Sequence, residues 1–148
     1  REAMMVGAHH AGIAFSNASV ALVHGMSRPV GAFFHVPHGL SNAMLLPAVT
    51  AFSAPAALSR YAECARAMGV ATADEGDQSA VARLLEELAA LNSDLAVPTP
   101  RSHGISEAQW FEVVPEMARQ ALASGSPGNN PRVPEAAEIE RLYAEAYG

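Results

Sequence analysis

Apolar positions along the 148-residue chain recur at helical rather than strand spacing. Residues 79–92 show the pattern best, with Val81, Leu84, Leu85, Leu88 and Leu91 on one face at the 3.6-residue period. Period-two alternation of β-branched and aromatic residues is scarce and alanine is abundant, so the fold class expected is all-α. The expected helices are 2–16, 17–26 with a brief resumption to 34, 38–51, 54–68, 79–92, 110–123 and 135–146. Ser16-Asn17 reads as a kink or a new N-cap. Pro29 lacks an N–H and biases Arg28 away from helical dihedrals, so it should end or kink the second helix. Pro37 suits the first turn of the third helix, which Pro47 should bend. Ser53-Ala-Pro55 reads as the cap of the fourth helix and Gly69 as its end. Ser106-Glu-Ala-Gln109 resembles a capping box before 110–123. There is no internal repeat, and the length fits one helical domain over residues 1–148.

Charge changes the picture. Half the residues are hydrophobic and 16% are charged, as in a globular chain, and the net charge of −6 argues against a nucleic-acid surface. Lysine is absent; all nine basic residues are arginines. Residues 1–62 hold only Arg1, Glu2, Arg28 and Arg60 as charged groups. A stretch so poor in charge should be covered on most sides, by the rest of the chain or by protein outside it. Its small residues Gly7, Ala8, Ala11, Gly12 and Ala14 permit close helix approach. No apolar run is expected to span a membrane, because glycine, proline and polar residues interrupt each one. The single cysteine, Cys64, excludes an internal disulfide, fits a reducing cytoplasmic compartment, and reads as a small buried hydrophobe.

Two histidines, His24 and His38, stand fourteen positions apart and each precedes a glycine. Imidazole is the commonest protein metal ligand, and two rings from neighbouring helices can share one divalent ion. The alternative is a pair of satisfied core or capping histidines. An ion also wants a carboxylate, and the only acid nearby in sequence is Glu2, so the remaining ligands are Glu2, an acid of the later helices, or residues beyond this chain. His35 flanks His38, His9 and His10 suit a surface, and His103 suits a loop.

The blocks Ala11-Gly-Ile-Ala-Phe15-Ser-Asn17, Leu22-Val-His24-Gly, Pro29-Val-Gly31, Pro37-His38-Gly39 and Asn42-Ala-Met-Leu-Leu-Pro47 resemble the iron-containing (group III) alcohol dehydrogenase family. Weaker matches continue through Leu95-Ala-Val-Pro98 and Asn130-Pro-Arg132 to Tyr143-Ala-Glu-Ala-Tyr147. The resemblance implies the helical metal-binding C-terminal domain, with His24 and His38 as two of four ligands to Fe²⁺ or Zn²⁺ and the half-site within residues 1–50. It implies an Asp-x-x-x-His helix and an α/β domain binding NAD or NADP earlier in the parent, both absent here, so the chain reads as a truncated piece without activity of its own. The reaction implied is interconversion of an alcohol with its aldehyde or ketone by hydride transfer, in a homodimer that engages neither membrane nor nucleic acid. Phe15 matches a position beside the substrate and nicotinamide. Arg28 stands where many members have a second histidine thought to relay a proton; arginine cannot do so, and it either attracts an anionic group or caps a helix end. Ser126 falls near a family cysteine at the edge of the cleft. Maleylacetate reductases and glycerol dehydrogenases are related alternatives, as is a non-catalytic helical module that uses residues 1–62 as an interface.

Overall fold

Seven α-helices and two 3₁₀ turns carry the chain in the computed structural model, which describes residues 1–148 and contains no strand. The helices are α1 (Glu2–Ala18), α2 (Leu22–Phe34), α3 (His38–Ser53), α4 (Leu58–Ala67), α5 (Asp77–Asp94), α6 (Glu107–Ala123) and α7 (Ala136–Tyr147). The 3₁₀ turns are Ala54–Ala57, started by Pro55, and Ser126–Asn129, started by Pro127.

The main core lies where α2, α3, α6 and α7 meet. Trp110 is fully buried at its centre, stacked on Phe34 at 5.4 Å between ring centres and edge-on to Tyr143 at 5.8 Å. Its indole N–H donates to the Tyr143 carbonyl at 3.1 Å, and the Tyr143 hydroxyl donates to the Met26 carbonyl at 2.7 Å. These bonds meet the polar demands of two large aromatic side chains that burial would otherwise leave unpaired. A smaller cluster of Ala62, Ala65, Ala80, Val81 and Leu84 joins α4 to α5. The α5 end is tied to α3 by Asn92, whose amide donates to the Ala43 carbonyl at 2.8 Å.

Several expectations need correction. The second helix begins at Leu22, not at 17, and runs through Pro29 to Phe34. Ser16 and Asn17 bond back to the Gly12 and Ile13 carbonyls inside α1, so neither caps a new helix, and the break falls at Ser19, whose φ is +64°. Pro29 does not end α2 because Pro29 and Val30 are buried in the main core, and that packing outweighs the lost backbone bond. α1 is covered by nothing in this chain: none of its residues is buried. Cys64 is exposed rather than buried. Contrary to the expectation that no run is long enough, the stretch His38–Ala67 is long and apolar enough to cross a membrane by length and composition. Its buried Met44, Leu45 and Val49 belong to the main core, and its buried Ala54, Ala62 and Ala65 to the smaller cluster. At the other end of the chain, α7 carries a capping box between Glu135 and Glu138 that was overlooked.

Candidate functional site

His24 lies in the first turn of α2 and His38 is the first residue of α3. An expected helix of 17–26 places His24 late in it, whereas α2 starts at Leu22, and the two rings meet because the chain doubles back. His35 ends α2 in the left-handed region at φ +55°, with its N–H on the Gly31 carbonyl. Residues 35–37 then return along α2. A side-chain carbon on Gly31 would stand 3.3 Å from the Val36 carbonyl oxygen, so the bare glycine accommodates the return. The outcome is a pair of rings with centres 5.2 Å apart and planes at 53°.

Burial chiefly, and then the charges of His38 and Arg28, hold the proton affinity of His24 below that of an ordinary histidine. The ring is therefore neutral near pH 7 and keeps a lone pair. The Nε2 atom of His38 is 3.0 Å from the Asn42 amide nitrogen, one helical turn on. The Asn42 Oδ1 is the one buried side-chain oxygen or nitrogen without a partner. An ion bound through Nε2 displaces the amide, whereas one bound through Nδ1 is served by the reversed amide, with Oδ1 accepting from Nε2–H.

These residues fit part of a divalent-metal site. With metal–nitrogen bonds of about 2.1 Å, two imidazoles at a tetrahedral or octahedral angle have ring centres roughly 4.5–5.5 Å apart, and the observed spacing falls in that range. No group of three or more histidine, cysteine, aspartate or glutamate side chains is gathered anywhere in the chain, so Glu2 does not complete the set. His35 is exposed at the end of α2, and His9 and His10 are exposed on α1. Phe15 is 55% exposed on α1, a helix with no buried residue.

Arg28 follows His24 by one helical turn and is exposed, with Nη1 donating to the Ser126 hydroxyl at 3.3 Å. Ser126 is buried at the head of the 3₁₀ turn that packs on α2. There Pro127 presses on Gly25: a side-chain carbon on that glycine would meet the proline ring at 3.0 Å. The Asn129 amide donates to the Val20 carbonyl at 3.0 Å and fastens the same turn. Neither Gly25 nor Asn42 was singled out as a support from sequence. The four-residue spacing of His38 and Asn42 was the available signal for the second; nothing local pointed to the contact between Gly25 and Pro127.

Residues 1–147 match the family described as Fe-containing alcohol dehydrogenase family, C-terminal. Lactaldehyde reductase of Escherichia coli (strain K12) is 37% identical over 147 residues, covering 99% of this chain and 37% of that protein. The NADPH-dependent butanol dehydrogenase of Clostridium saccharobutylicum is 32% identical over 148 residues, which are 38% of its length. Among solved structures, a 1,3-propanediol oxidoreductase superposes with a TM-score of 0.84 at 31% identity, over 92% of this chain and 35% of that one. The iron-containing alcohol dehydrogenase from Thermococcus thioreducens superposes with a TM-score of 0.79 at 38% identity, over 93% and 34%. The chain thus spans a little over a third of the length of these relatives.

Proposed function

Because this chain belongs to the iron-containing alcohol dehydrogenase family, matching its C-terminal helical part, we propose that it supplies half of the metal site and one wall of the substrate cleft in an NAD(P)-linked alcohol dehydrogenase. The observation that carries this reading is the pair of imidazoles from α2 and α3 at a spacing suited to one shared ion. When bound, a divalent metal such as Fe²⁺ or Zn²⁺ polarises the oxygen of the alcohol or carbonyl compound as a Lewis acid. The chain's own part is to hold and orient. His24 is kept neutral by its surroundings and so keeps a lone pair for the ion. Asn42, one turn on, meets the His38 ring at Nε2 and would steady it for an ion held at Nδ1. The 3₁₀ turn Ser126–Asn129 braces α2 at Gly25, between His24 and Arg28. The other ligands and the nicotinamide cofactor belong, on this reading, to the remainder of a longer cytoplasmic, homodimeric parent that takes a small alcohol or aldehyde.

A Zn²⁺ titration followed by NMR tests it. One ion per chain should perturb the ring signals of His24 and His38 together and leave those of His9, His10 and His103 in place. His24→Ala and His38→Ala should each abolish the response. Two nitrogen donors make only half a coordination sphere, so the 148-residue polypeptide alone should not reduce NAD⁺ or NADP⁺ in the presence of 1,2-propanediol. Measurable turnover by it would contradict the half-site. The exposed apolar side chains of α1, Met4, Met5 and Phe15 among them, favour one other reading, a helical interaction module. Self-association through α1 with no Zn²⁺ response at either ring would decide for that.

A further inference from the structure

Seven of the nine arginines lie within 4 Å of a glutamate or aspartate oxygen. The two without such a partner are Arg1 at the terminus and Arg28. No acidic residue occurs between Glu2 and Glu63, so α2 and α3 bring no carboxylate of their own to Arg28. Its one hydrogen bond is to the buried Ser126 hydroxyl, and no backbone carbonyl accepts from it, which removes the helix-end role that the sequence left open. Anchoring through a single nitrogen leaves the other guanidinium N–H groups uncommitted. His24 and Arg28 are one turn apart on α2 and share a face, so an anion held by the guanidinium lies on the same side of the helix as the His24 imidazole. A planar fork of this kind fits a carboxylate with two parallel hydrogen bonds.

We propose that Arg28 is the carboxylate-binding residue of the cleft, and that the substrate is a short alcohol or aldehyde bearing a carboxylate at its other end. Ser126 acts as a positioning residue that aims the guanidinium. The inference rests on the reading of His24 and His38 as the place where the reacting oxygen sits. An anionic group could also arrive as a cofactor phosphate. The carboxylate is favoured because Arg28 stands beside the imidazole pair, where the substrate reacts.

The polypeptide is titrated at constant ionic strength with 3-hydroxypropanoate and, separately, with 1,3-propanediol, which has the same carbon chain without the charge. The readout is the side-chain Nε–H signals of ¹⁵N-arginine by NMR. Saturable movement of the Arg28 signal with 3-hydroxypropanoate alone, while the ion-paired arginines stay still, is the expected result. Followed at the His24 ring signals, since these variants lack the Arg28 reporter, Arg28→Leu should weaken that binding by about tenfold to a hundredfold, and Arg28→Lys should restore part of it. The unmoved signals of the other arginines show that each variant is folded. No response, a uniform response of all arginines, or equal responses to both probes overturns the proposal. Inorganic phosphate supplies the remaining arm: saturation of Arg28 at a lower concentration than 3-hydroxypropanoate requires would transfer the residue to a cofactor phosphate and overturn the carboxylate assignment. Zn²⁺ added to the Arg28→Leu variant and read at the two histidine rings reports on the metal site separately, so failure of one reading is not mistaken for failure of the other.

Discussion

At the scale of single residues, His24 has a measurable signature. Burial and two neighbouring positive groups disfavour its imidazolium, so its folded pKa lies below the ordinary value of about 6.5. The unfolded chain then binds more protons than the folded one between those two values. The stability carried by the neutral ring is complete above about pH 6.5 and is lost as pH falls through the lower, folded value. An NMR titration of the metal-free chain should find His24 titrating below the ordinary histidine value of about 6.5; a midpoint at or above that value would refute the assignment of its surroundings. The candidate ligands themselves were legible in the sequence, as histidines in two glycine-flanked blocks. Their supports were not, because Gly31 and Gly25 matter for the atoms they lack. What passes them, the Val36 carbonyl in one case and Pro127 in the other, is set by tertiary structure.

At the scale of elements, the helix of 79–92 was readable from its periodicity and that of 110–123 from its cap. Ser106 does accept from the Gln109 N–H, as the capping pattern suggested. The start of α2 was misread because its N-cap, Ala21, makes no side-chain bond, so no cap residue marks it. Pro29 was overweighted as a terminator, whereas Pro47 and Pro115 sit inside helices, as the expected spans 38–51 and 110–123 required. Trp110 is the element-level keystone, since it ties α6 to α2 through Phe34 and to α7 through Tyr143 and Tyr147. Trp110→Ala should cost about 3–5 kcal/mol, the range for a large aromatic removed from a filled core. Denaturant unfolding followed by circular dichroism checks it, and a loss under about 1 kcal/mol would show that the core closes over the gap.

At the scale of the whole molecule, the fold divides into a four-helix core, an α4–α5 pair leaning on α3, and α1 standing clear. The expectation that the charge-poor first stretch is covered holds within this chain for much of α2 and α3; for α1 the chain itself supplies no cover, which leaves the alternative of protein outside it. Composition signals that a surface wants cover but does not name what covers it. Since α1 buries nothing, deleting residues 1–18 should shift the unfolding free energy by less than about 0.5 kcal/mol. The same deletion should lower self-association in sedimentation, because it removes the exposed Met4, Met5, Ile13 and Phe15 side chains. A large fall in the unfolding midpoint would show that α1 packs on the bundle after all.

The return of residues 35–37 beside Gly31 makes the interval between the two histidines a mechanical dimension. Both rings are delivered to their meeting point by a rigid rod and a three-residue strap, and the strap has no slack. One additional residue in it would add up to about 3.5 Å of chain between the helices and let α3 shift against its partner. The imidazoles would part company even with every side chain of the pair intact. Variation in this stretch is therefore tolerable in residue type, as long as the number of residues stays the same.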